Sequence, residues 1–215
     1  MTTQSGAMKP ADIENQSFAM IQEILDSKGI TLPKESADII MRCIHTSADF
    51  DYVENLYISD KAVAQMRDAL RQGCIIITDT QMAKSGINKK AAALYGIEVC
   101  CFMADEDVAE EAKKRGVTRA LVAVEKAMRI EQPVLFAVGN APTALLRLHE
   151  AMLETHFRPV GIIAVPVGFV NVVESKEYIV KAPVPCIVAR GRKGGSNIAA
   201  AICNALLYGL DGSRG

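Results

Sequence analysis

His45 closes the run Ile39-Ile40-Met41-Arg42-Cys43-Ile44-His45 and is one of only three histidines in the chain. Imidazole exchanges its proton near neutral pH, with a reference value of roughly 6.5, so its surroundings decide whether it does chemistry. At helical spacing Ala37, Ile40, Met41, Ile44 and Ala48 make one apolar stripe, with His45 at its edge. Asp38, Arg42 and Asp49 share its side. Two readings follow: a proton-transfer group between a buried wall and a charged row, or a boundary histidine holding a helix end through Asp49. Helix geometry alone favours the second.

Two other runs carry chemistry through their composition. Arg190-Gly191-Arg192-Lys193-Gly194-Gly195-Ser196 gathers three cations and three glycines ahead of a helix start. Such a loop suits carboxylate or phosphate groups through charge-assisted bonds and close backbone approach. A solvated basic loop has the same composition. Gly139-Asn140-Ala141-Pro142-Thr143 reads as a glycine turn into a helix with proline in its first turn. That arrangement leaves free N–H groups facing a strand end, although ordinary strand-to-helix turns also use glycine and asparagine. Thr80 and Lys84 lie in Thr78-Asp79-Thr80-Gln81-Met82-Ala83-Lys84, Gly168 in Pro166-Val167-Gly168-Phe169-Val170, and Lys176 in Glu174-Ser175-Lys176-Glu177. Lys84, Arg119 and Lys176 add scattered positive charge that could equally be solvated. The phosphate loop GxxxxGK[ST], a GxGxxG between strand and helix, and the GxSxG elbow are all missing. His149 and His156 form no carboxylate–histidine pattern, so no metal site is expected.

The elements that must position these groups alternate along the chain. A helical pattern over Ile13 to Leu25 precedes a Gly29/Pro33 break and the His45 helix. Apolar runs then recur at 74–78, 97–102, 133–138, 161–165 and 184–188, separated by helical stretches near 61–72, 86–95, 106–129, 141–155, 174–180 and 196–208. Continuous apolar strands alternating with helices predict an α/β fold: a mainly parallel sheet with helices on both faces. In such sheets ligands bind beyond the carboxyl ends of the strands, where the punctuated runs fall. A single domain over 1–215 is expected, with flexible tails at 1–8 and 211–215.

Composition bounds the rest. A formal net charge of −1 over 215 residues argues against a dedicated nucleic-acid binder. Six cysteines without a CxxC read as reduced core thiols of a cytoplasmic protein. The stretch Met1 to Ala11 lacks the apolar core of a secretory signal, and no apolar run approaches the ~20 residues needed to span a bilayer.

Ser17-Phe18, Arg42-Cys43-Ile44-His45, Thr78-Asp79-Thr80-Gln81-Met82, Thr118-Arg119, Gly139 to Leu145, Pro166 to Val170, Glu174-Ser175-Lys176 and Gly191 to Ser196, in this order, resemble the precorrin-8X and cobalt-precorrin-8 methylmutases of cobalamin biosynthesis. The resemblance runs from about Ile13 to Leu207. Thr46 to Asp49 and Gln81 fall where the family pattern varies. The resemblance implies a homodimeric isomerase without a separate cofactor, which moves a methyl group from C-11 to C-12 of a corrin precursor. The product would be hydrogenobyrinate or cobyrinate. It further implies that His45 is the catalytic residue and that Ser17 and Arg42 contact substrate. Such a tetrapyrrole is flat, apolar and edged with carboxylates, so it needs an apolar slot and dispersed cations. Val167, Phe169 and Val170 are expected to line the slot, and Arg119, Lys176, Arg190, Arg192 and Lys193 to meet the rim. Thr80, Lys84, Asn140, Thr143, Gly168 and Ser196 complete the expected substrate contacts. The competing readings are a non-catalytic corrinoid carrier using the same slot, and an α/β enzyme whose 190–196 loop holds a phosphorylated metabolite.

Overall fold

The computed structural model describes residues 10–210, so the tails expected at 1–8 and 211–215 lie outside the described residues. Six strands form one sheet: β1 (Leu56–Ile58), β2 (Ile75–Thr78), β3 (Val99–Cys100), β4 (Val134–Val138), β5 (Gly161–Ala164) and β6 (Cys186–Ala189), in the order β1-β6-β5-β4-β2-β3. β2 through β6 are parallel and β1 pairs antiparallel with β6, Leu56 opposite Ala189. The five parallel strands are those the apolar runs predict. Every residue of β2, β4, β5 and β6 is buried, because helices cover both faces of the sheet. β1 was not anticipated. Three residues between two helical segments are too few to show a period.

Alternation along each strand divides the core. Ile76, Leu135, Ala137, Ile163 and Ile187 face a layer built from α1 (Pro10–Ser27), α2 (Ala37–Ser47), α4 (Ala62–Arg71), α5 (Gln81–Gly86), α6 (Lys89–Ala93) and α11 (Ser196–Tyr208). Ile77, Phe136, Val138, Ile162 and Val188 face α8 (Arg119–Ala127), α9 (Pro142–Glu154) and α10 (Val172–Val180). The helical stretch expected over 106–129 is two helices, α7 (Glu106–Arg115) and α8. Gly116, at a φ of 65°, ends the first, and the Thr118 hydroxyl caps the second by accepting from the Leu121 N–H. A four-residue α3 (Tyr52–Asn55) leads into β1.

The strand order sets where a ligand can sit. From β2 the chain steps outward to β3, then crosses back past β2 to lay down β4, β5 and β6 in turn. The connections leaving β2 and β4 therefore diverge, and a crevice opens beyond their carboxyl ends. The loops after β2, β4, β5 and β6 meet around that crevice.

Candidate functional site

Asp79 sits at the switch point itself. It follows β2 directly, is 6 % exposed, and its carboxylate crosses to the loop after β4. One oxygen accepts from the Gly139 N–H at 2.8 Å, and the other from Asn140 at 2.8 Å and Ala141 at 2.6 Å. Burial pushes this carboxyl above the usual carboxylate range, and the three N–H bonds pull against that shift. The N–H groups expected to be free at this turn are thus satisfied from within. The glycine-turn run is a structural joint between β2 and β4, and only side chains such as Asn140 remain exposed there.

The loops after β4, β5 and β6 are packed backbone to backbone. A Cβ on Gly139 would lie 2.7 Å from the Ser196 Cα, and one on Gly194 would collide with the Val165 carbonyl. Gly194 also adopts a φ of +152°, so this position requires glycine on both counts. The Gly195 N–H donates to Val165 O at 2.8 Å, and the Gly168 N–H to Arg192 O at 3.1 Å. Thr80 and Ser196, the N-cap of α5 and the first residue of α11, bring their hydroxyls to 2.7 Å. Thr143 accepts from the Thr118 hydroxyl at 2.9 Å, joining the starts of α8 and α9.

Lys176 lies beneath this surface. It is fully buried on α10 and donates to the carbonyls of Gly191 (2.9 Å) and Lys193 (2.8 Å). No carboxylate pairs with it among the described residues. Desolvation lowers its pKa from the ordinary 10.5 to about 8. Between those values the unfolded chain holds a proton that the folded chain has released, so the lysine's contribution to stability rises with pH across the window. The stability of the wild type relative to Lys176→Met is therefore expected to increase by on the order of 2–3 kcal/mol between about pH 7 and pH 10. Denaturant unfolding at the two ends of that range measures it, and a flat difference would assign Lys176 an unshifted ammonium.

The same loop reaches the His45 helix. The Lys193 ammonium bridges Asp49 (2.6 Å) and Asp51 (2.5 Å), just past the end of α2, and the Arg190 N–H donates to Asn55 O. α2 stops at Ala48, whose left-handed conformation returns its N–H to Ile44 O. His45, in the last turn, is exposed with its ring 5.0 Å from that of Phe18 on α1. It has no hydrogen bond or ion pair among the described residues. Arg42, one turn earlier, pairs with Glu14 at 2.8 Å and lies 5.0 Å from the rings of both Phe18 and Tyr208. Asp38 pairs with Arg67 and Asp49 with Lys193, so neither holds the imidazole, and the helix-end role that geometry favoured is filled by Ala48 instead.

Comparison with known proteins places this architecture. The precorrin-8X methylmutase family model matches residues 12–209. The chain belongs to the precorrin-8X methylmutase family. It is 47 % identical to the cobalt-precorrin-8 methylmutase of Salmonella typhimurium, over 94 % of this chain and 96 % of that protein. It is 36 % identical to the precorrin-8X methylmutase of Pseudomonas aeruginosa, over 90 % and 93 %. The crystal structure of precorrin-8X methylmutase from Thermus thermophilus superimposes with a TM-score of 0.82 at 35 % identity, covering 94 % of this chain and 98 % of that one.

Seen as a methylmutase site, the expected residues divide into groups. Ser17, half-buried, donates its hydroxyl to Ile13 O within α1, beside the Phe18 that contacts both His45 and Arg42. Lys84 on α5 and Arg119 at the start of α8 have no ion-pair partner among the described residues and lie on helices that begin at the crevice. Arg192 stands 5.7 Å from the ring of Phe169. Phe169 (81 % exposed) and Val170 (79 %) present an open apolar wall, with Val167 partly exposed beside them. Of the cations expected at the rim, Lys176 is buried against loop carbonyls, while the half-exposed Lys193 and Arg190 also hold partners within the fold, Asp49 and Asp51 for the one and Glu177, through two bonds of 2.8 and 2.6 Å, for the other. Their side chains found acceptors within the fold that the sequence does not place beside them. Asp79 was given no role of its own in the Thr78 to Met82 run, although an acidic residue two positions past Ile75-Ile76-Ile77 signals a buried carboxylate in need of donors.

Proposed function

We propose that this protein is the isomerase of cobalamin biosynthesis that moves a methyl group from C-11 to C-12 of precorrin-8 or its cobalt form, with His45 as proton donor and acceptor. The match to the methylmutase family across almost the whole described chain supports the activity. The site supports its manner. A methyl shift around a conjugated ring is a rearrangement that calls for no nucleophile, and protonating the ring makes its π system electron-poor while the methyl moves. His45 suits that task because neither ring nitrogen has a partner among the described residues, so both are open to a bound ring. Phe169 and Val170 offer the macrocycle an apolar wall, and Arg192, Arg119 and Lys84 offer its carboxylates cations.

The test is a single-turnover visible spectrum with precorrin-8 and with cobalt-precorrin-8 side by side, since the rearrangement alters the chromophore. A spectral change at stoichiometric enzyme is expected with at least one of them. Tight binding with an unchanged chromophore for both would make the protein a corrinoid carrier. We further read the chain as a cytoplasmic homodimer. Exposed Ile13, Met20 and Ile24 along α1 offer a second copy an apolar surface, and all six cysteines are free thiols. Among the described residues no helix is long and apolar enough to cross a membrane.

A further inference from the structure

We propose that Lys176 is a positioning residue that turns the β6 loop into a carboxylate cradle made of main-chain N–H groups. The inference rests on the methylmutase reading and identifies what part of the site meets the rim of the substrate. In a trans peptide the C=O and the N–H of one unit point in opposite directions. Lys176 draws the carbonyls of Gly191 and Lys193 inward, at 2.9 and 2.8 Å. The N–H groups of the same two peptide units, those of Arg192 and Gly194, are thereby turned away from the buried ammonium. Neither finds an acceptor among the described residues. The intervening carbonyl of Arg192 is held separately by the Gly168 N–H, and the Gly195 N–H is taken by Val165 O, whereas the two units that Lys176 holds have no other hydrogen bond among the described residues. The glycines at 191 and 194, with φ of 76° and 152°, supply the backbone shape that this alternation requires.

Two N–H groups on one short loop, flanked by the Arg192 guanidinium, suit one carboxylate oxygen pair. A lysine kept solely for stability would be a poor choice here, because a buried ammonium without a counter-charge is costly. Its desolvation shows in the pKa lowered to about 8. An apolar side chain would fill the same space but would leave the two carbonyls free to turn. Lys176 therefore reaches the substrate only through the peptide units it orients.

The test uses hydrogenobyrinate, a metal-free corrin with peripheral carboxylates, and the same ring with those groups converted to primary amides. Wild-type protein carrying 15N-glycine should show the Gly194 amide proton moving downfield with the acid more than with the amide. Subtracting the amide form removes the ring's own magnetic effect. Lys176→Met should lose that difference, bind the acid about 10-fold more weakly and the amide within about 2-fold, and raise KM with kcat nearly kept. Lys176→Gln, which retains a donor, should recover part of the affinity. Equal losses for acid and amide would reduce Lys176 to a structural role, and an unmoved Gly194 signal in the wild type would overturn the cradle without recourse to any variant. If the wild type binds neither corrin, the methylmutase reading fails instead.

Discussion

Replacing His45 with alanine is expected to lower turnover of precorrin-8 by ~10²–10⁴-fold, the usual contribution of a positioned general acid–base group. That range corresponds to roughly 2.7–5.5 kcal/mol of transition-state stabilisation. Affinity for the corrin product should change by no more than a few-fold, because the apolar side chains of Phe169 and Val170 and the cations Arg192, Arg119 and Lys84 remain in place. Stability should hold as well. His45 is exposed, makes no hydrogen bond among the described residues, and contributes one ring contact with Phe18. Substitutions at such positions usually stay within about 0.5 kcal/mol. The combination is what gives the experiment its force: a large loss in kcat with an unchanged melting temperature and near-normal product binding. Arg42→Ala is the useful contrast. Its guanidinium ties Glu14 to α2 and packs between the rings of Phe18 and Tyr208, so its loss should disturb the α1–α2 contact as well as the substrate. A His45→Ala enzyme with full turnover and normal binding would remove the imidazole from the chemistry and leave proton transfer to water.

How much of this was legible in the sequence depends on the range of the interaction concerned. The parallel strands were visible because burial on both faces forces continuous apolar runs such as Ile75-Ile76-Ile77 and Val134-Leu135-Phe136-Ala137-Val138, which no surface segment imitates. Helix stops at Gly116 and the cap at Thr118 were local signals too, yet they were hidden inside a longer helical pattern. The polar joints were not visible. Asp79 meets partners some sixty residues later, and Lys193 meets Asp49 and Asp51 more than a hundred residues earlier. Nothing in local periodicity encodes such distances. A usable hint did exist for Lys176: Val172, Lys176 and Ile179 fall on one helical face, and the two apolar members are buried. A lysine on that stripe has to find internal acceptors. For His45 the sequence supplied the residue and its edge position. Only the structure showed that its charged neighbours are engaged elsewhere, which leaves the imidazole without a structural task.

Asp79→Ala should destabilise the protein by about 3–5 kcal/mol, because three N–H groups lose their acceptor at about 1–3 kcal/mol for each one left buried, and two of them are only part-buried. The carboxylate ties the end of β2 to the loop after β4 by accepting from three consecutive N–H groups, one buried and two part-buried, and alanine would leave all three without that acceptor. For a chain of this size the loss corresponds to a fall of roughly 6–20 °C in melting temperature. Asp79→Asn separates charge from shape. Gly139 uses one carboxylate oxygen while Asn140 and Ala141 share the other, so a carboxamide must aim its own NH2 at one of these donors. Most of the alanine penalty should therefore persist in the asparagine variant, despite nearly identical volume. The consequence reaches the site, because Gly139 packs against Ser196 and Ser196 bonds to Thr80. Loosening the first joint should loosen the second, and KM for the corrin precursor should rise below the melting transition, before any global unfolding. A loss under about 1 kcal/mol for either variant would mean that water replaces the carboxylate at these N–H groups, and that the switch point is held by the strands alone.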